Sequence, residues 1–155
     1  MIIPPVKNKL PPMNPNGKWI FPEILNPDIY VGFLYVIRDN YLERFYFGKK
    51  NYKVRRGANK GKESNWRKYN TSSPLMKTLF AERPMEEFEF IVLEQYRTQG
   101  TLSYAETWTL CYVEAPTNEK WYNTRIEKVT WPCKEPITDR HKQRIHQVID
   151  MEKIE

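Results

Sequence analysis

The sequence contains little of what metal-cage, redox and membrane proteins need. Only two cysteines and two histidines occur among 155 residues, and neither pair has the spacing of a zinc site or a disulfide framework. No apolar run approaches the length of a membrane span, and no basic stretch followed by an apolar one marks a secretory leader. Glycine-rich phosphate loops and the short motifs of serine and zinc hydrolases are missing as well. We therefore expect a soluble, cytoplasmic protein.

The few cysteines and histidines can be placed from their surroundings. Cys111 falls in an apolar helical pattern, which favours a reduced core residue. His141 and His146 lie five residues apart in a polar stretch, too far apart to share one metal on a helix, and we interpret both as surface residues.

Positive charge and aromatic residues are abundant. The net charge is +6, the isoelectric point is near 9.2, and aromatic residues make up 14% of the chain. Residues 38–69 hold eleven basic and three acidic side chains, so this stretch alone carries +8. Such a concentration favours a polyanionic partner; the alternative is a merely basic soluble protein.

The clearest structural pattern lies in residues 31–48. Two runs rich in aromatic and β-branched residues, Val31–Ile37 and Phe45–Gly48, flank a polar Asp-Asn turn. This pattern predicts a β-hairpin with one tyrosine on each strand, Tyr35 and Tyr46.

The rest of the chain predicts helices around a small sheet. Ser73 and Pro74 are typical of a helix start, and the apolar spacing continues to about Glu82. Residues 88–96 predict a third strand, covered on both faces because 90–93 is apolar throughout. Further predictions are a short helix over 63–69, a helix from Ser103 to about Ala115, an extended piece at 121–123 and a C-terminal amphipathic helix within 137–154. The fold class is therefore α+β.

The segments outside this pattern suggest a division of the chain. Seven of the twelve prolines fall in residues 1–28, which predicts an extended arm docked near Trp19; a proline-rich recognition motif is the alternative. Residues 51–62 predict a mobile basic loop. We divide the chain into an N-terminal arm (1–28), a central domain (29–130) and a C-terminal extension (131–155).

Glu106 is the first candidate for chemistry. On the predicted helix it shares a face with Leu102, Leu110 and Val113, and a carboxylate on an apolar face is costly unless it is paired, capped or bound to a cation. The alternative is structural: Ser103 would be the N-cap, and Glu106 would bond its amide in a capping box.

Tyr35 and Tyr46 are the second candidates. Tyrosines on neighbouring strands usually just pack together. The basic residues at 49–56 would, however, favour an ionised phenol, which could orient or deprotonate a water molecule.

Together these residues resemble the GIY-YIG nuclease family, in particular its small phage-encoded branch. Gly32-Phe33-Leu34-Tyr35 stands at the position of the GIY element and Tyr46-Phe47-Gly48 at that of YIG. Three later stretches are also similar, namely 63–73, 100–106 and 121–123. The tripeptides are unspecific individually, but five elements in the right order form a specific pattern over roughly 31–126.

The resemblance implies a three-stranded antiparallel sheet flanked by helices, and a single-metal site that hydrolyses DNA phosphodiester bonds. One Mg²⁺ or Mn²⁺ would be held by Glu106, and Tyr35 would lie near the attacking water. The family's arginine matches either Arg56, by its separation from Tyr46, or Arg67, by its closeness to Tyr69; the two remain alternatives. The implied catalytic set is Tyr35, Tyr46, Lys49, Arg56, Arg67, Tyr69 and Glu106, with Gly48 and Asn123 as structural residues near the site.

DNA is the implied partner, bound by a monomer or a homodimer in an infected bacterial cell, with no membrane involved. The predicted DNA contacts are Lys50, Lys53, Arg55, Lys60, Lys62, Trp66 and Lys68. The alternative function is a protein that keeps this fold without the chemistry and binds nucleic acid or a protein partner.

Overall fold

The computed structural model describes residues 15–126 and 135–149. The first half of the predicted proline-rich arm, Cys133, and the end of the predicted C-terminal helix lie outside the described residues. The division of the chain into three segments stays a prediction.

The sheet has three antiparallel strands in the order β2-β1-β3. β1 spans Gly32–Asp39, β2 spans Arg44–Asn51 and β3 spans Phe88–Tyr96. β1 lies in the centre and pairs with both neighbours, so β2 and β3 form the edges. The predicted hairpin, third strand and α+β fold are confirmed.

Within the described residues, three α-helices flank the sheet: α1 (Pro74–Glu82), α2 (Gln99–Tyr112) and α3 (Asp139–Ile149). Two short 3-10 helices cover Met85–Glu87 and Ala115–Thr117. α1 starts as predicted, because the Ser73 hydroxyl accepts a hydrogen bond from the amide of Met76.

The polar segment after β2 contains no helix. Residues 63–69 contain a bridge at Glu63 and a turn at 66–68, so the short helix predicted there is wrong. The basic stretch before them is a loop, as predicted. Backbone hydrogen bonds between Val54 and Lys62 (2.8 Å) and between Gly61 and Val54 (2.8 Å) close it on itself.

The two faces of the sheet bury separate hydrophobic cores, because alternate residues of a strand point to opposite sides. On one face, Leu34 and Phe47 pack beneath α2 and α3. On the other face, Phe33 and Tyr35 pack with Trp66 from the segment after β2, and with residues of the N-terminal segment and of α1.

The N-terminal segment covers the outer edge of β3. The amide of Ile20 donates to the carbonyl of Phe90 (2.8 Å), and its carbonyl accepts from the amide of Val92 (2.9 Å). Trp19 beside it is 2% exposed, which agrees with the predicted docking point. Trp19 also donates from its indole nitrogen to the carbonyl of Trp66 (2.6 Å).

α3 is anchored to β3 through an ion pair. Arg140 donates to both carboxylate oxygens of Glu94, at 3.0 and 2.8 Å, and Glu94 is 3% exposed. Burial alone would raise the pKa of Glu94, but the hydrogen bonds from Arg140 and from the Gln95 amide outweigh it and hold the pKa below its ordinary value.

His141 is a core residue, so its interpretation as a surface residue is wrong. Its ring is fully buried, 2.8 Å from the Tyr96 hydroxyl and 3.1 Å from the Thr109 hydroxyl. Burial lowers the pKa of His141 to about 4. His146 is exposed as predicted and bonds the hydroxyl of Tyr112 (2.8 Å).

Cys111 lies on the outer face of α2 and is exposed, so its prediction as a core residue is also wrong. Its neighbour Leu110 is the residue of that turn that enters the core. None of the helices in the described ranges has the length and apolar character that a bilayer crossing requires.

Candidate active site

Glu106 lies in the middle of α2 rather than in its first turn. The helix begins at Gln99, four residues before the predicted start at Ser103. The Thr98 hydroxyl accepts a hydrogen bond from the amide of Thr101 (3.2 Å) and caps the helix. Ser103 and Glu106 lie beyond the first turn of α2, where the backbone amides are already bonded within the helix. The capping-box alternative is therefore wrong.

Glu106 faces the sheet and meets a lysine there. Leu102 and Leu110, one turn before and after it, are buried, and the Glu106 side chain is only 14% exposed. Lys49 Nζ lies 3.4 Å from Glu106 Oε1 and 3.1 Å from Ser103 Oγ. This ion pair offsets the free-energy cost of a partly buried carboxylate.

Glu106 lines a cleft of about 460 Å³ beside β2. Tyr46 and Asn123 line the same cleft, so the structure brings these three predicted residues together. The first residues of α1, Ser73–Leu75, also line it. The remaining lining residues are Phe47, Leu110, Tyr122, Thr124 and Arg125.

Tyr35 lies behind this cleft rather than in its wall. It is 1% exposed, with its ring centroid 6.4 Å from that of Tyr46. Burial raises the pKa of Tyr35 well above its ordinary value. The nearby Tyr69, to which Tyr35 is hydrogen-bonded, raises this pKa further, and so do Tyr46 and Glu106. Tyr35 is therefore a neutral phenol, and the expectation that basic neighbours favour its ionised form is wrong.

Gly48 makes room for Tyr35. The two residues are cross-strand partners, and a Cβ atom on Gly48 would lie 2.5 Å from the Tyr35 hydroxyl oxygen and 2.6 Å from Cζ. Real side chains do not approach so closely, so only glycine fits here while the Tyr35 hydroxyl stays under β2.

Asn123 holds the segment after the second 3-10 helix against β2. Its amide oxygen accepts from the Phe47 N–H (2.7 Å), and its amide nitrogen donates to the Phe47 carbonyl (2.8 Å). The oxygen and the nitrogen of the Asn123 side-chain amide thus both bond the backbone of β2. This agrees with the prediction that Asn123 is a structural residue near the site.

A second, basic cleft of about 480 Å³ adjoins the first. Its basic lining residues are Lys49, Lys50, Lys53 and Arg55, and Lys49 also pairs with Glu106. Lys50 Nζ lies 4.0 Å from the ring centroid of Tyr69, and burial lowers the pKa of Lys50. Tyr69 therefore links this cleft to the hydroxyl of Tyr35.

Several predicted residues lie elsewhere. Arg56 is exposed in the loop after β2 and lines neither cleft. Arg67 pairs with Glu63 and stacks on Trp66 (4.2 Å). The predicted DNA contacts Lys60, Lys62 and Lys68 are exposed but outside both clefts.

Trp66 cannot contact DNA as predicted. It is 0% exposed and its indole N–H donates to the Glu63 carboxylate (2.9 Å). It packs edge-on against Tyr52, with ring centroids 5.0 Å apart, in the core of the sheet.

The donor set at the cleft fits one kind of cation. Within residues 15–126 and 135–149, no group of three or more histidine, cysteine or carboxylate side chains could hold a metal ion, and Glu106 is the one carboxylate among the lining residues described. Mg²⁺ is typically bound by one or two carboxylates, and its other ligands are water molecules and substrate phosphate. An all-protein cage is not formed by the described residues.

Arg125 is the residue that sequence reasoning missed. It lines the Glu106 cleft, whereas the resemblance pointed only to arginines after β2. The available signal was its position two residues after Asn123.

A three-stranded antiparallel sheet flanked by helices, with a helical carboxylate facing a tyrosine-lined cleft, defines an α+β protein. The family model described as "Putative endonuclease segE, GIY-YIG domain" matches residues 19–126. The chain belongs to this GIY-YIG family. Among curated proteins and among solved structures, no significant match was found.

Proposed function

We propose that the protein is a divalent-metal-dependent DNA endonuclease whose reaction takes place in the Glu106 cleft. The observation that carries the proposal is the placement of Glu106. It is a mid-helix carboxylate that faces a cleft shared with Tyr46 and pairs with Lys49, and Lys49 lines the adjoining basic cleft.

The residues of the cleft support distinct roles. Glu106 would hold one Mg²⁺ or Mn²⁺, and such a cation, when bound, neutralises charge that builds up on the phosphate oxygens. Tyr46 lines the cleft and would orient the attacking water. Tyr35 stays protonated, so it supports the site by packing and through its hydrogen bond with Tyr69 rather than as a base.

The basic cleft supports DNA as the substrate. Lys50, Lys53 and Arg55 line it together with Lys49, and ammonium and guanidinium groups neutralise phosphates along a DNA backbone. Binding through such contacts weakens steeply with salt. Since Lys49 belongs to one cleft and pairs with the acid of the other, a bound strand would pass from the basic cleft to Glu106.

A second candidate is a DNA-binding protein without hydrolytic activity. The observation that favours it is the position of Arg56 and Arg67, neither of which lines the Glu106 cleft. An arginine that donates to the phosphate is a strong contributor to stabilising the transition state. If no other group replaces it, the fold would bind DNA without cutting it.

A plasmid assay separates the two candidates. Wild type, Glu106→Gln and Glu86→Gln are mixed with supercoiled plasmid in Mg²⁺, in Mn²⁺ and in EDTA. Glu86 is an exposed acid on the short 3-10 helix before β3 and serves as the matched control. We expect nicks from wild type and Glu86→Gln that disappear in EDTA, and a loss of about 10³-fold or more in Glu106→Gln, because metal stabilisation supplies several kcal/mol.

Two outcomes contradict the proposal. Equal cleavage by wild type and Glu106→Gln would remove Glu106 from the mechanism. DNA binding by wild type without nicks in either cation would establish the second candidate. Thermal melting of the three proteins checks that the substitutions leave the fold intact.

A further inference from the structure

The Glu106 cleft needs a fixed cationic donor if it handles a phosphodiester. Hydrolysis develops negative charge on the phosphate oxygens, and a guanidinium can meet two of them at once. Arg67 is engaged by Glu63 and Trp66, and Arg56 lies in the exposed loop. Neither arginine lines the Glu106 cleft.

Arg125 is the one basic residue among those that line this cleft in the described part of the chain. The segment before it is firmly attached to β2. The Tyr122 amide donates to the Phe45 carbonyl (2.7 Å), and Asn123 bonds both backbone groups of Phe47. Two residues beyond this attachment, Arg125 is placed beside the cleft that Tyr46 and Glu106 share.

A side-chain bond of Tyr122 reinforces the same attachment. Its hydroxyl donates to the buried carboxylate of Asp39 (2.6 Å), which also receives two hydrogen bonds from Arg83, at 2.6 and 2.7 Å. The chain entering residues 124–125 is therefore fixed to the hairpin through both backbone and side-chain bonds, which limits the positions that Arg125 can adopt.

The charges of the cleft suit a phosphate at Arg125. Glu106 is already opposed by Lys49, so its carboxylate does not leave an unbalanced negative charge in the wall. Ser73, Pro74 and Leu75 at the start of α1 line the same cleft, and the first turn of α1 carries no acidic residue that would repel a phosphate.

We propose that Arg125 donates hydrogen bonds to the scissile phosphate and takes the part for which Arg56 and Arg67 were candidates. The inference rests on the proposed function, since it names the substrate contact of that site. Arg125 touches the substrate directly, whereas Arg56 lines neither cleft.

The test compares Arg125→Ala and Arg125→Lys with wild type. Arg97→Ala is the matched control, because Arg97 is exposed and lies near Tyr30, outside both clefts. Single-turnover cleavage in Mg²⁺ is expected to fall about 10²–10³-fold in Arg125→Ala, the usual cost of one transition-state donor. Arg125→Lys should recover part of that loss, and Arg97→Ala should match wild type.

A second readout does not depend on cleavage. The affinity for a short DNA duplex is measured in EDTA over a series of salt concentrations. Loss of one phosphate contact makes the negative slope of log K against log salt shallower by about 1 in Arg125→Ala, while Arg97→Ala keeps the wild-type slope. Arg125→Gln replaces Arg125→Ala if that variant does not fold.

The two readouts separate the two claims. An unchanged salt slope in Arg125→Ala overturns the role of Arg125, whether or not wild type cuts DNA. Absence of cleavage by wild type in every cation overturns the proposed function, and the slope still decides whether Arg125 meets a phosphate.

Discussion

The side-chain amide of Asn123 hydrogen-bonds both backbone polar groups of Phe47, at 2.7 and 2.8 Å. A single side chain thus serves as a partner for the edge strand β2, in the way that a neighbouring strand would. Because of this pairing, the segment that carries Arg125 lies beside the strand that carries Tyr46.

Asn123→Ala is expected to lower the free energy of unfolding by about 1–3 kcal/mol, since the amide of Phe47, a residue 1% exposed, loses its partner. Asn123→Asp keeps the hydrogen-bond acceptor, so its free energy of unfolding should lie between those of wild type and Asn123→Ala. Urea denaturation measures both. The control is Asn59→Ala in the exposed loop, expected within about 0.5 kcal/mol of wild type. A similarly small effect of Asn123→Ala would contradict the bracing role of Asn123.

Gly48→Ala is expected to destabilise the protein by about 1–3 kcal/mol, because the new Cβ atom overlaps Tyr35 in a packed core. Tyr35→Phe alone loses one hydrogen bond with Tyr69, at a cost of about 1 kcal/mol. The double variant should show a coupling of more than about 0.5 kcal/mol, because the two residues are in contact. Strictly additive effects in denaturation experiments would show that Gly48 and Tyr35 do not constrain each other.

His141 makes stability depend on pH. Burial lowers the pKa of His141 to about 4, with a raising effect of Glu94 and a lowering effect of Lys142, whereas in the unfolded chain it is about 6.5. Between these values the unfolded state binds more protons, so the free energy of unfolding falls as pH is lowered from 6.5 towards 4, by up to about 3 kcal/mol.

Denaturation midpoints at pH 7, 6, 5 and 4.5 measure this effect. His141→Gln should lose this part of the pH dependence, whatever its stability at pH 7. His146→Gln, which changes an exposed histidine, should keep it. The same pH dependence in wild type and His141→Gln would show that His141 is not its source.

Local patterns were sufficient for the strands and for α1. Alternation and aromatic content placed the hairpin, and Ser73 with Pro74 placed the helix start. The start of α2 was misplaced because Gly100 reads as a turn residue. Gly100 is in fact buried in the first turn of the helix, where packing on the sheet outweighs the low helix propensity of glycine.

The site was predictable as far as it depends on short motifs. Glu106 and Tyr46 line one cleft as the resemblance implied. The surroundings of Trp66 could not be predicted, because they depend on contacts distant in sequence, and Arg125 was missed because the resemblance pointed to arginines after β2. Trp66 is buried through contacts that include Trp19, 47 residues earlier, and no local pattern distinguishes such a tryptophan from one that stacks on DNA.

The anchoring of α3 bears on how this nuclease fold can be cut and grafted. Glu94 depends on Arg140, and Arg140 lies beyond residue 126, where the family match ends. A chimera that contained only the matched segment would leave the buried Glu94 carboxylate without Arg140. Loss of a buried charge's partner typically lowers the free energy of unfolding by about 3–5 kcal/mol. Anyone transplanting this module must carry the helix at 139–149 with it.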